Sequence, residues 1–128
     1  MAEFRIMIVD DEAFVVEELA EALSEEGCYT VVTAGSGTAA LDLPDLAGID
    51  VVVTDLKMPG MTGIDLLTAL RGRGVGAAGI LLSGHGAQAE RDEAFAAGFF
   101  ACLSKPVDID DLLEAVAAAR DSNKESTP

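Results

Sequence analysis

The acids of this sequence fall at places where they can act together. Asp10, Asp11 and Glu12 stand in a row, Asp55 follows far along the chain, and Ser83 and Lys105-Pro106 come later still. Carboxylates gathered in one pocket repel one another, and without compensation at least one takes up a proton. A hard divalent cation removes that conflict. Mg2+ prefers oxygen ligands and keeps several of its waters, and Mn2+ suits the same set. Calcium suits it less, because nothing in the chain resembles an EF-hand loop. Taken singly, each residue also has an ordinary reading. The acid triplet could simply begin a helix, whose N-terminus favours acids. Asp55 could be a turn residue ahead of Pro59-Gly60, and Lys105-Pro106 a strand end and a turn. Ser83 alone says little. The chemistry depends on whether the fold brings these residues to one edge.

The apolar pattern says that it does. Phe4–Val9, Tyr29–Thr33, Ile49–Thr54, Gly79–Leu82 and Phe99–Leu103 are short runs rich in Val, Ile, Leu and Phe, with little alternation. Strands buried on both faces of a parallel sheet read this way. Between them lie segments with helical spacing. Val15, Val16, Leu19 and Leu23 recur at three- to four-residue steps with glutamates opposite, and Gly27 is the expected stop. Ile64, Leu66, Leu67 and Leu70 mark a second helix, Ala87 to Ala97 a third, and Ile109, Leu112, Leu113 and Val116 a last one capped by Asp108. The segment Gly37–Leu46 predicts only a short or broken helix, because Pro44 interrupts it. Strand and helix thus alternate five times, which implies an open α/β domain with a parallel sheet. In such a sheet ligands bind outside the carboxyl ends of the strands. The first strand runs into Asp10-Asp11, the third into Asp55, the fourth into Ser83 and the fifth into Lys105. Four of five strands deliver a polar side chain to the same edge, and the joint pattern reads as a site.

The composition bounds the partners. The chain has 128 residues, 50% of them hydrophobic, and 23 Asp plus Glu against 8 Lys plus Arg, a formal net charge of −15. One domain over residues 1–121 is expected, followed by a polar, flexible tail over 122–128. The charge argues against direct nucleic-acid binding and against anionic membrane surfaces. No run approaches the roughly 20 apolar residues of a membrane span. The N-terminus does not read as a leader, and the two cysteines, Cys28 and Cys102, read as reduced packing thiols of a cytoplasmic chain.

The strings Ile6-Met-Ile-Val-Asp-Asp-Glu12, Val51-Val-Val-Thr-Asp-Leu-Lys-Met-Pro-Gly-Met-Thr-Gly63, Ile80-Leu-Leu-Ser-Gly-His85 and Leu103-Ser-Lys-Pro106 occur in order. With them the sequence resembles the receiver domain of bacterial two-component response regulators, over about residues 4–120. The resemblance implies a flavodoxin-like, doubly wound five-stranded parallel sheet of order 2-1-3-4-5 with helices on both faces. It implies that Asp55 is the phosphoacceptor, and that Asp10, Asp11, Asp55 and the backbone carbonyl of Lys57 hold Mg2+. It further implies that Ser83 bonds the new phosphoryl group, that Lys105 pairs with it, and that the Lys105-Pro106 bond is cis. The phosphoryl donor would be a sensor histidine kinase or a histidine phosphotransfer protein. The domain would catalyse its own phosphorylation and slow autodephosphorylation, as a signalling module rather than a turnover enzyme. The alternative is a pseudo-receiver, an interaction module that takes no phosphate. A haloacid-dehalogenase-type phosphatase needs a second aspartate where Lys57 stands. A flavodoxin needs a hydroxyl-rich loop where Asp10-Asp11 would repel the cofactor phosphate.

Some positions depart from the family or tune it. The family usually carries Tyr or Phe three residues before the lysine, where this chain has Cys102, so a modified switch through the loop after Ser83 and the following helix is expected. Lys57 and His85 occupy positions that modulate phosphoryl lifetime in the family. Phe14, Val15, Glu18 and Pro106 are the candidate docking residues for the donor, and Phe14 has a core reading beside that one. An unidentified downstream protein and a phosphorylation-dependent dimer complete the expected partners. The order 2-1-3-4-5 would put Cys28 and Cys102 at opposite edges, too far apart for a disulfide.

Overall fold

The computed structural model of the chain describes residues 4–84 and 88–125. Five strands, β1 (Phe4–Val9), β2 (Tyr29–Ala34), β3 (Val51–Asp55), β4 (Ala78–Ser83) and β5 (Ala101–Ser104), form one all-parallel sheet of order β2-β1-β3-β4-β5. The helices are α1 (Ala13–Ser24), α2 (Gly37–Leu41), α3 (Gly63–Gly72), α4 (Gln88–Ala96) and α5 (Ile109–Glu125), with a 3-10 turn at Leu46–Gly48.

The two-residue period of the strands sorts the core into two layers. Ile6, Ile8, Val51, Val53, Ile80 and Leu82 pack with Leu19 and Leu23 of α1 and Leu112, Val116 and Ala119 of α5. Met7, Val9, Val52 and Leu81 pack on the other face with Ala40 of α2, Leu66, Leu67 and Leu70 of α3, and Ala94 of α4. Both faces are therefore covered, which is why the strands read as continuous apolar runs. Gly27 ends the segment after α1 with φ of +78°, as its place in the sequence predicts. The segment after Gly37 is the short helix that Pro44 leads one to expect.

Most element ends shift by a residue or two from the sequence reading, and two of the differences have a visible cause. Phe99 and Phe100 lie outside β5. Gly98 adopts φ of +104° and the N–H groups of Ala97 and Phe99 both donate to Ala94 O, so Phe99 closes α4, while Phe100 donates its N–H to Gly79 O of β4 just ahead of the strand. Phe99 is apolar because its ring is core: it lies over Gly79, where an added Cβ would approach the ring to 2.7 Å. At the other end, α5 runs on through Glu125, into the stretch expected as a tail. No Gly or Pro interrupts the chain from Ile109 to Thr127, and Arg120 suits the C-terminal half of a helix dipole.

Among the described residues, no helix is long and apolar enough to cross a membrane. Cys28 is exposed beside β2, Cys102 is buried on β5, and both are free thiols, with the two strands at opposite edges of the sheet.

Candidate functional site

β1 lies between β2 and β3, so the strand order reverses there and a crevice opens at the carboxyl ends of β1 and β3. Asp10 follows β1, and its backbone N–H donates to Ala34 O across the gap to β2. Its Oδ1 accepts the backbone N–H of Glu12 at 3.0 Å, a local turn that holds the carboxylate inward. Glu12 caps α1 without any side-chain hydrogen bond. The acid triplet is thus more than a helix start: Asp10 is buried, while Asp11 and Glu12 are exposed.

Asp55 is the last residue of β3 and 7% exposed. The loop after it is tied down by the residues of the motif. The Thr54 hydroxyl donates to Asp55 O and lies 3.9 Å from the Met58 sulfur, with Met58 itself buried. Thr62 and Asp65 form a reciprocal capping box at the start of α3. Gly63 donates to Leu56 O, and a Cβ there would lie 2.5 Å from Asp55 O. Only glycine lets α3 start this close under the Asp55 backbone.

Asp10, Asp11 and Asp55 each offer a carboxylate oxygen, and these atoms lie within 4.8 Å of one another. Lys105, just past β5, reaches back over them: its Nζ is 3.0 Å from Asp55 Oδ2, 3.2 Å from Asp10 Oδ2 and 3.7 Å from Glu12 Oε1. The Lys105-Pro106 bond is cis, and the Lys105 N–H donates to Ser83 O. Burial raises the Asp55 pKa above the ordinary carboxylate value. The hydrogen bond and charge of Lys105 pull it down without cancelling that rise, and the neighbouring Asp10 charge adds to it. Burial opposes the charge on Lys105, but its bonds to Asp55 and Asp10 outweigh it, so its pKa is raised. Three oxygen donors from two strand ends, two of them buried, with one lysine set against them, form a donor set that fits a hard divalent cation.

Ser83 ends β4 and is 1% exposed, but its hydroxyl donates to Glu90 Oε1 of α4 at 3.1 Å. A cavity of about 150 Å³, several times the roughly 30 Å³ share of a water molecule, opens beside Asp55 and is lined by Lys57, Gly84, Glu90 and Lys105. Lys57 is thus at the site and exposed. His85 lies outside the described residues. Cys102 is buried on β5, and its thiol pKa is raised first by burial, with Arg91 and Glu90 acting on it in opposite senses. The candidate docking residues Phe14, Val15, Glu18 and Pro106 line one groove that reaches Lys105, and Phe14 is 76% exposed, which removes its core reading.

Glu90 is the residue that the sequence did not single out. It is one of three acids on α4, beside the exposed Asp92 and Glu93, and nothing in its spacing ties it to Ser83.

Comparison with known proteins agrees with this geometry. Residues 6–117 match the family described as response regulator receiver domain. The chain is 38% identical over 122 residues to the nitrate/nitrite response regulator protein NarP of Escherichia coli strain K12, covering 94% of this chain and 57% of that protein. It is 36% identical over 123 residues to the transcriptional regulatory protein PdtaR of Mycobacterium tuberculosis, covering 96% of this chain and 60% of that protein. The chain therefore spans a little over half the length of these relatives. Among solved structures, a response regulator receiver domain protein from Clostridium thermocellum superposes with a TM-score of 0.86 at 34% identity, covering 94% of this chain and 97% of that one.

Proposed function

The chain belongs to the response regulator receiver domain family, and on that premise we propose that it accepts a phosphoryl group on Asp55 and thereby switches a partner-binding face. The observation that carries the reading is the convergence of Asp10, Asp11 and Asp55 under Lys105 at the strand ends.

A carboxylate is a weak nucleophile and the incoming phosphoryl group is anionic, so attack needs its repulsion cancelled. Asp10, Asp11, Asp55 and the backbone carbonyl of Lys57 would hold Mg2+ (or Mn2+), which when bound supplies positive charge to the phosphoryl oxygens. Lys105 supplies the second positive charge from the other side. An Asp55 oxygen attacks phosphorus in line with the donor. The new O–P bond forms as the P–N bond of a phosphohistidine breaks, and its electron pair leaves on the imidazole nitrogen. The Ser83 hydroxyl then donates to a phosphoryl oxygen. Attack of water on phosphorus reverses the modification; Lys57, at the cavity, and His85, by its sequence position two residues past Ser83, tune that rate.

The donor is a sensor histidine kinase or a histidine phosphotransfer protein in the cytoplasm. It docks on the groove of Phe14, Val15, Glu18 and Pro106, whose open end reaches Lys105. The modified state engages a downstream protein or a second copy of the domain. A net charge of −15 argues that this domain does not touch DNA itself.

Incubation with Mg2+ and acetyl phosphate, followed by intact-mass measurement, tests the reading. One added phosphoryl group is expected on the wild type and none on Asp55→Asn. No adduct with any small-molecule or histidine donor would instead support a phosphate-independent interaction module.

A further inference from the structure

Ser83 ends β4 one residue past Leu82, which pairs with Asp55 across the sheet, and its hydroxyl proton goes to Glu90. A serine has one proton to donate. Glu90 lies in the first turn of α4 and lines the same cavity as Asp55, Lys57 and Lys105. The bond therefore ties a sheet end to a helix. That helix is lightly anchored: Ala94 is its one buried residue, whereas α3 buries Gly63, Leu66, Leu67 and Leu70. A single side-chain bond makes up a larger share of what holds α4 than it would for α3.

We propose that Glu90 is a positioning residue that holds the Ser83 hydroxyl away from Asp55 in the unmodified protein, and that loss of this bond carries the phosphorylation signal into α4. The inference rests on the reading of Asp55 as phosphoacceptor. A phosphoryl group on Asp55 brings several charged acceptor oxygens, which compete with one carboxylate for the Ser83 proton. When Ser83 changes acceptor, Glu90 loses its donor and is left facing a like charge across a small cavity. Both effects push the first turn of α4 away from β4. The buried thiol of Cys102, next to this turn on β5, offers no large ring to carry the change, and among the described residues the Ser83–Glu90 bond ties the end of β4 directly to the first turn of α4. The coupling is reciprocal: as far as the bond holds α4 in place, it weakens phosphoryl binding by the same factor.

The test is a double-mutant cycle on the full chain, using beryllofluoride with Mg2+ as the phosphoryl analogue. Wild type, Glu90→Ala, Ser83→Ala and the double variant are titrated. Hydrogen exchange of the α4 amides is followed without the analogue. Glu90→Ala is expected to tighten beryllofluoride binding by about fivefold or more when Ser83 is present, and by distinctly less, through relief of like-charge repulsion alone, in the Ser83→Ala background. Either single change speeds exchange in α4, and the double adds nothing further. Glu90→Gln, which keeps an acceptor for the hydroxyl and the shape of the side chain, restores slow exchange. Equal tightening in both backgrounds would mean that Glu90 acts by charge alone, and no tightening would mean that the bond is not coupled to the site; either overturns the inference. Wild-type protein that fails to bind beryllofluoride would overturn the phosphoacceptor reading and this one with it. Binding without the coupling overturns the Glu90 role only.

Discussion

At the scale of residues, Asp55 carries opposing demands. It must be buried enough to meet phosphorus in a dry site, and that burial raises its pKa even with Lys105 at 3.0 Å. The sign of the consequence for stability follows from linkage. A group whose folded pKa is raised favours folding below its unfolded value and loses that contribution as pH rises through its folded value. At neutral pH without divalent cation, ionised Asp55 therefore costs stability. Asp55→Asn is expected to raise the thermal midpoint by a few degrees at neutral pH, and the difference should vanish below the ordinary carboxylate range. Thermal melts of both proteins in chelator, at neutral and acidic pH, check this; a variant that melts lower at neutral pH would contradict it. Asp10, Asp11, Asp55 and Lys105 were legible in the sequence because each follows an apolar run that ends at the same sheet edge. Glu90 was not, because its meaning comes from the approach of α4 to Ser83, which no local pattern encodes. The direction of Phe14 was also not legible: one apolar residue at the start of an amphipathic helix fits either side.

At the scale of elements, the β3–α3 connection does most to aim the site. Met58 anchors it in the core, the Thr62–Asp65 box fixes the start of α3, and Gly63 permits the close approach to Asp55 O. Gly63→Ala forces its Cβ against backbone that cannot turn aside, so it is expected to destabilise by about 1–3 kcal/mol and to slow phosphoryl uptake. Gly72→Ala, on the same helix, meets nothing within 4 Å and is expected to be neutral or stabilising by up to about 1 kcal/mol. Urea unfolding of the two variants reads the contrast, and equal effects would remove the close-approach argument. The order of strands and helices was readable because period and length both change at each junction. The ends of β5 and α5 were not. Phe99 is apolar for core packing rather than for a strand, and the polar end of α5 carries no residue that stops a helix.

At the scale of the whole molecule, the charge of −15 is two things. Asp10, Asp11 and Asp55 form the site, with Lys105 set against them; exposed glutamates such as Glu17, Glu18 and Glu21 on α1 and Glu25 just after it form a solvated coat. Self-repulsion of that coat opposes the compact state and is screened by salt. Raising monovalent salt from about 0.05 to about 0.5 M is expected to raise the thermal midpoint while weakening Mg2+ affinity, since the same screening reduces attraction of the cation. Melting and Mg2+ titration at the two salt levels test this, and a lower midpoint at high salt would count against a repulsive coat. The most direct test of the central claim locates the modification. Protein treated with Mg2+ and acetyl phosphate is reduced with borohydride, which converts an acyl phosphate to homoserine, and is then digested and sequenced by mass. The account requires conversion at Asp55, abolished by chelator. Conversion at another carboxylate, or at Asp55 regardless of divalent cation, would contradict it.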